Sequence, residues 1–402
     1  MIRRDRNHPS VIMWSIGNEI REQMDPDCAE IARFLVDICH DEDPSRPVTC
    51  GLNALRGDHN TIADEVDIPG WNYQPRNYGH FHACYPDKPQ YGSETASTVS
   101  SRGAYYFPAV DEVMLRRDTL QVNSFDMSYP PWGTAPDVEF QAQDECDFSM
   151  GEFVWTGFDY LGETTPYQSE WPSRSSYFGI IDLAGIPKDR FYLYQAKWSG
   201  RDVIHLMPHW TWPGMEGQIV QVQCYTNHQS AELFVNGVSQ GRKDHYRKHK
   251  VLESSYRFHW PLVVYQPGEL KVVAYAGDDV VGTKTIVTAG APAAVELVVD
   301  CQDLAADGDD MAFVTARIVD KDGNLCPHAD NSLRFDVSGA ARIAGLCNGD
   351  ATSLESFKGT EMKAFNGMCV LYLKSIDGRS GEIHVTCLAQ GLVDGVMELR
   401  AL

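Results

Sequence analysis

From residue 11 to residue 156 the chain repeats one unit: a short apolar run that closes on a polar or charged residue, then a stretch of helical spacing. Crossover connections place a helix after each strand of a parallel sheet, and strands covered on both faces become nearly continuous apolar runs. On this pattern strands are expected at Val11–Ile16, Val48–Gly51, Val66–Tyr73, Gln90–Glu94 and Glu152–Thr156. Asp25 or Asp27 is placed to cap a helix whose apolar positions Ile31, Phe34, Leu35 and Ile38 recur at helical spacing. The Asp-Pro-Ser-Arg-Pro segment at 43–47 ends that helix, because proline disfavours helical backbone at the residue before it. The expected fold class is therefore α/β over residues 1–200, a partial TIM barrel with five strands instead of eight.

Beyond Trp198 helical periodicity gives way to alternating runs such as Ile219–Tyr225, Ala231–Val235 and Leu270–Tyr275, punctuated by Asn-Gly, Pro-Gly and Gly-Asp turns. This reads as a β-sandwich over 201–289. After the Ala-Gly-Ala-Pro linker at 289–292 comes a second all-β domain, 290–402, with strands near Ala293–Val299, Ala312–Val319, Leu333–Val337 and Glu382–Cys387 and a tight turn at 321–324. Both are expected to be immunoglobulin-like sandwiches.

A net charge of −22, from 56 acidic against 34 basic residues, argues against nucleic acid or an anionic membrane surface as a partner, since like charges repel. No apolar run approaches the roughly 18 residues needed to span a bilayer. The eleven cysteines are odd in number, scattered and without a CxxC pair, so no metal site, cofactor or disulfide framework is expected, and the thiols read as those of a reduced, cytoplasmic protein.

Two carboxylates stand at expected strand ends. Glu19 follows Val11–Ile16 through Gly17-Asn18, and Glu94 follows Gln90-Tyr91-Gly92-Ser93. Parallel barrels present reacting groups from the C-terminal ends of different strands, and glycoside hydrolysis with retention needs one carboxyl to protonate the leaving oxygen and a second to attack the anomeric carbon. Spacing alone does not separate such a pair from surface or salt-bridged glutamates.

The surrounding residues narrow the choice. Arg-Asp-Arg-Asn-His-Pro-Ser-Val-Ile-Met-Trp-Ser-Ile-Gly-Asn-Glu (4–19) resembles the acid/base signature of glycoside hydrolase family 2. Gly70-Trp71-Asn72-Tyr73 is similar to its sixth-strand motif, Gly92-Ser93-Glu94-Thr95-Ala96-Ser97 to its nucleophile strand, and Gly151-Glu152-Phe153-Val154-Trp155-Thr156-Gly157-Phe158-Asp159 to its eighth. The resemblance implies barrel strands four to eight, Glu19 as acid/base and Glu94 as nucleophile. It further implies that Asn18 hydrogen-bonds the sugar 2-hydroxyl, Tyr73 contacts the nucleophile and Trp155 stacks on the sugar ring.

For the sugar, glucuronide-cleaving relatives place an Asn and a Lys before a Gly-Ile segment. Here Ser175-Ser176-Tyr177-Phe178 precedes Gly179-Ile180, and no lysine lies between Lys88 and Lys188. The segments 205–237, 292–299 and 348–350 are similar to the β-domains that follow the barrel in many β-galactosidases of the family. A terminal β-galactoside is the expected substrate, with glucuronides, mannosides and a non-catalytic carbohydrate-binding role as alternatives. Trp171, Arg174 and Arg102 are loop residues placed to border the sugar or its aglycone. The basic run Arg242–Lys250 reads as a solvated hairpin face, and His205 with His209 lacks the helical context of a zinc pair.

Only 18 residues precede Glu19, too few for the three βα units that come before this motif in the family, at roughly 30 residues each. The chain is accordingly expected to be a fragment, with open sheet edges and an incomplete sugar subsite unless self-association or a separate N-terminal portion completes it.

Overall fold

The computed structural model describes residues 1–55, 59–245 and 253–402. Most of the basic run Arg242–Lys250 therefore lies outside the described residues; of its described part, the Arg242 guanidinium lies 4.1 Å over the Tyr275 ring. The chain divides into two compact units, one formed by residues 1–98 and 129–156, the other by 99–128 and 157–402.

In the first unit, helix α1 (Ile2–Asp5) precedes β1 (Trp14–Asn18), α2 (Pro26–Glu42), β2 (Val48–Leu52), α3 (Thr61–Glu65), β3 (Ile68–Asn72), α4 (Tyr78–Cys84) and β4 (Gln90–Ala96). The chain then leaves this unit for β5 (Glu112–Val113), which belongs to the second, returns at β6 (Ser128–Tyr129), on the boundary, and completes the first unit with α5 (Pro136–Glu145) and β7 (Ser149–Trp155). β1, β2, β3, β4 and β7 form one open parallel sheet in that order, the five strands expected, each within a few residues of its predicted span. The central strands β2 and β3 are buried at every position, as their unbroken apolar runs require, whereas β1 and β7 pair on one side only and leave Met150 and Phe153 facing solvent.

Local chemistry sets the helix limits. The Asp25 side chain accepts from the Asp27 N–H, with Pro26 at the first helical position, where its missing N–H costs nothing. At the other end Asp43 accepts from the Trp14 indole at 3.0 Å and from Arg46 at 2.6 Å, joining the end of α2 to the start of β1. The inward face of α2 differs from the expected one. Cys28, Ala32, Val36 and Cys39 are buried, while Ile31 and Phe34 point outward at 60% and 63% exposure. Small side chains let the helix approach the sheet closely, so the inner stripe is carried by residues that hydrophobicity alone ranks lower. Trp71, fully buried, stacks on Phe81 at 3.7 Å in the core beneath the sheet.

The second unit contains α6 (Asp189–Trp198) and two sandwiches. In the first, strands 238–244, 230–235, 269–276 and 279–287 form one sheet and strands 258–264, 219–226 and 204–207 the other. Val222, Cys224, Leu233, Trp260 and Val272 fill the space between them. In the second, strands 294–299, 311–319, 368–375 and 341–347 face strands 303–304, 395–401, 381–388, 332–339 and 361–363 across a core that includes Val314, Ile318, Phe335, Leu371 and Val385. The predicted sandwich strands are thus present with small shifts at their ends.

Several polar residues of this unit have structural work. Arg102, 5% exposed, pairs with Asp182 at 2.7 Å and donates to the carbonyls of Asn348 and Phe365. Arg174 donates to the Glu355 carbonyl and lies 4.8 Å over the Phe357 ring. Both arginines are spent on internal partners, which corrects the expectation that they border a sugar; Trp171 is largely exposed. His205 pairs with Asp189 at 2.7 Å, and His209 stacks on Trp212, where burial and then His328 push its pKa down to about 3. Among the described residues no helix is long and apolar enough to cross a membrane, and no group of three or more His, Cys, Asp or Glu could hold a metal.

Asp320 closes the predicted 321–324 turn and fastens it to the 289–292 linker, accepting from the N–H groups of Gly290 at 2.7 Å and of Asp322 and Asn324 at 2.9 Å. Burial alone would raise its pKa; the donors, Gly290 first, outweigh it and hold the carboxyl down at about 2. Asp320→Ala should cost about 1–2 kcal/mol at neutral pH, because three part-buried donors lose their acceptor. A depressed folded-state pKa stabilises above the ordinary value of 3.8 and loses that contribution as pH falls through about 2. Thermal melts of the two proteins should therefore differ at neutral pH and converge across that acid window.

Candidate active site

Three strands of the sheet end in left-handed backbone. Glu19 after β1 has φ 45°, Tyr73 after β3 has φ 57°, and Ala96 and Ser97 at the end of β4 both have φ 58°. Such conformations in non-glycine residues cost about 1–3 kcal/mol each and persist only where surrounding contacts dictate them. Here backbone bonds do so: the Glu19 N–H donates to the Gly51 carbonyl at 2.9 Å, and the Tyr73 N–H to the Glu94 carbonyl at 2.7 Å. The pairing register slips between Ser15 and Asn18, between Trp71 and Asn72, and along β4 against β7. Bulges of this kind re-aim side chains at strand ends. All three ends lie on the C-terminal side of the sheet, the side on which parallel barrels carry their chemistry.

The side chains that emerge there form one hydrogen-bond network. The Tyr73 hydroxyl donates to Glu94 Oε2 at 2.6 Å and Asn18 Nδ2 donates to Glu94 Oε1 at 2.9 Å, so each oxygen of this carboxylate has a donor. Asn72, fully buried, gives its Nδ2 to Asn18 Oδ1 at 3.1 Å and to Glu19 Oε1 at 3.0 Å, while its Oδ1 accepts from the Ser93 hydroxyl at 2.5 Å. One amide thus fixes which way Asn18 faces and ties the two glutamates into a single constellation. Gly51 makes room for it, because a Cβ there would lie 2.2 Å from Asn18 Oδ1.

Opposing influences act on Glu94. Burial raises the pKa of Glu94, the Tyr73 hydrogen bond pulls it back, the charge of Glu19 raises it again, and Asn18 and Asn72 lower it, leaving a net rise. Tyr73 is pushed far up, by burial first and then by Glu94, so its hydroxyl stays protonated and remains a donor. Glu94 is half-buried, whereas Asn18 and Glu19 are open to solvent. An aimed carboxylate beside an accessible carboxyl can attack a carbon centre and exchange a proton with the group leaving it.

Glu19, Glu94, Asn18 and Tyr73 are therefore brought together. Trp155, half-buried, ends β7 opposite Ala96, two residues beyond Glu94 on the neighbouring strand. Asn72, Ser93 and Gly51 were not singled out as site residues by sequence reasoning. Asn72 and Ser93 stood inside recognised motifs, directly beside Tyr73 and Glu94; Gly51 carried no signal, since only the β1–β2 register reveals what a side chain there would meet.

Comparison with known proteins adds independent information. Residues 1–83 match the profile of the glycosyl hydrolases family 2 TIM barrel domain, residues 217–282 that of a domain of unknown function (DUF4982), and residues 295–398 that of the glycoside hydrolase family 2 C-terminal domain 5. The β-galactosidase BoGH2A of Bacteroides ovatus is 40% identical over all of this chain, which covers 50% of that protein. A β-glucuronidase of Formosa agariphila is 23% identical over 85% of the chain and 33% of its own length. The crystal structure of a β-glycosidase from Bacteroides vulgatus aligns with a TM-score of 0.85 at 33% identity, covering the whole of this chain and 52% of the other. The chain spans half or less of the length of these curated relatives.

Two substitutions test the network. Gly51→Ala should displace the Asn18 amide and reduce kcat/KM on any substrate of the site about 100-fold, the scale expected for a misplacement of about 1 Å. Tyr73→Phe removes a donor to the ionised form of Glu94 and so raises its pKa further. Since the ionised carboxylate is the reactive form, the acidic limb of the pH profile should move to higher pH in Tyr73→Phe; an unmoved limb would show that the Tyr73 hydroxyl does not govern this carboxylate.

Proposed function

Because the chain belongs to glycoside hydrolase family 2, we propose that its first unit carries the reaction centre of a retaining β-galactosidase. The observation that carries this reading is the doubly held carboxylate of Glu94, with Tyr73 on one oxygen and Asn18 on the other, linked through Asn72 to the accessible carboxyl of Glu19. Glu94 attacks the anomeric carbon while Glu19 protonates the departing oxygen; Glu19 then deprotonates the water that releases the sugar, so that two inversions give retention. Asn18 stands where it can pass its amide between Glu94 and the 2-hydroxyl, an interaction that strengthens as positive charge develops at the anomeric carbon. Trp155 offers an apolar face to the ring. The second unit supplies immunoglobulin-like domains of the kind that follow the barrel in relatives.

The sugar assignment rests on three supports. The 40% identical relative, matched over the whole chain, is a β-galactosidase. No lysine occurs between Lys88 and Lys188 to grip a uronate, and Lys188 is buried and paired with Asp159 at 2.6 Å. Ser175 and Ser176, where relatives that cleave glucuronides carry their recognition segment, are fully buried and hydrogen-bonded to Tyr160 and Asp159.

The test is a panel of aryl β-galactoside, β-glucuronide and β-mannoside with the chain and with Glu94→Gln. The galactoside should be turned over fastest, and Glu94→Gln should lose at least about 1,000-fold in kcat. Preference for the glucuronide would overturn the sugar assignment, and undiminished activity in Glu94→Gln the catalytic one.

A further inference from the structure

A regular strand turns successive side chains to opposite faces, and β4 breaks that rule at the proposed nucleophile. Ser93 and Glu94 are consecutive, yet both reach the site: the Ser93 hydroxyl meets Asn72 at 2.5 Å, and the Glu94 carboxylate meets Tyr73 and Asn18. Thr95 then turns the other way. Its methyl lies 2.4 Å from where a Cβ on Gly92 would stand, and the same point is 2.6 Å from the Tyr78 hydroxyl on α4 and 3.4 Å from Glu139 Oε1 on α5. The pairing with β7 gives the cause. Gly92 pairs with Glu152 and Thr95 with Val154, so Ser93 and Glu94 together oppose the single residue Phe153, which is a bulge in β4.

One side chain spans that bulge. Glu152 pairs with the residue before it, Gly92, but its carboxylate reaches the residue after it: the hydroxyl of Thr95, fully buried, donates to Glu152 Oε2 at 2.6 Å. Hydroxyl-to-carboxylate bonds of this length are charge-assisted and roughly twice as strong as neutral ones. The backbone under Glu152 is itself held. Between the pairs Gln90–Ser149 and Gly92–Glu152, β7 carries an extra residue of its own, where Gly151 takes φ 118°. Gln143 on α5 fastens this slip, donating to the Gly151 carbonyl at 3.3 Å and accepting from the Ser149 hydroxyl at 2.8 Å. Gln143 and the Tyr78 hydroxyl both donate to the fully buried Glu139, at 2.7 and 2.8 Å. Two helices thus brace the strand from which Glu152 reaches across.

We propose that Glu152 is a positioning residue for the nucleophile: through the Thr95 hydroxyl it holds the β4 bulge that turns Ser93 and Glu94 together towards the site. This rests on the glycosidase reading above. Glu152 acts on aim, through the residue that follows Glu94 in the chain. Without the bond the extra residue of β4 can relax towards regular alternation, which carries the Glu94 carboxylate away from the donors Tyr73 and Asn18. An interaction that fixes the direction of attack and adds nothing to sugar binding is expressed in kcat and not in KM.

The test breaks the bond from each side. Thr95→Val keeps the shape and removes the donor, and Glu152→Met keeps the length and removes the acceptor. Each should lower kcat on an aryl β-galactoside about 10- to 100-fold while KM stays within about twofold. Thr95→Ser and Glu152→Gln, which can rebuild the bond, should keep kcat within about threefold of the unsubstituted chain. Because both disruptive changes remove one interaction, the double variant should lose no more than the worse single one. Thermal melts establish which variants are folded, and either disruptive variant suffices. An unchanged kcat in folded Thr95→Val or Glu152→Met overturns the positioning role, as do an equal loss in the conservative variants and losses that multiply in the double variant. Absence of Glu94-dependent turnover in the unsubstituted chain would instead overturn the glycosidase reading itself, a result distinct from the others.

Discussion

Everything proposed for the first unit depends on keeping one carboxylate aimed in a half-buried setting that works against its charge. Burial pushes Glu94 towards the neutral form, which cannot attack, and the donors from Tyr73 and Asn18 oppose that push. Those donors come from the ends of different strands, so their positions are a property of the sheet. The left-handed turns at Glu19 and Tyr73, the register slips beside them and the bare Cα of Gly51 are the means by which three strand ends converge on one group. A site assembled this way is preorganised, its dipoles already oriented before a substrate arrives.

Asn72 illustrates the economy of the arrangement. Its amide has one orientation that satisfies all its neighbours: oxygen to the Ser93 hydroxyl, nitrogen to Asn18 and Glu19. Reversing it would set its oxygen against the Asn18 oxygen and leave the Ser93 donor facing an N–H group. A fully buried amide with each partner matched is both costly to disturb and specific in what it fixes. The second unit shows the same logic without reaction chemistry, in the buried pairs Arg102–Asp182 and Lys188–Asp159, whose charges are compensated by close partners and by backbone carbonyls.

Much of the architecture was legible in the sequence, and the reasons are physical. Strands buried on both faces must be apolar throughout, so β2 and β3 announced themselves, and alternating runs with tight turns gave the sandwich strands. The inner face of α2 was misread because close packing favours Cys28, Ala32 and Cys39 over the larger Ile31 and Phe34. Arg102 and Arg174 were misread because a loop arginine looks the same in sequence whether it meets a ligand or a carbonyl. Glu19, Glu94, Asn18 and Tyr73 were visible through motifs whose residue types the chemistry demands. Gly51 was not, because what a side chain there would touch is decided by register between strands, which no local pattern encodes.

The most direct test of the central claim is to identify the residue that becomes covalently bound to the sugar. Incubation with an activated 2-deoxy-2-fluoro-β-galactoside, which slows release of the glycosyl-enzyme, should add one fluorogalactosyl group to the intact mass, and peptide mapping should place it on Glu94. An adduct on Glu19 or on another residue would contradict the assignment of roles. Turnover of β-galactosides with inversion at the anomeric carbon, and no adduct at all, would contradict the double-displacement account.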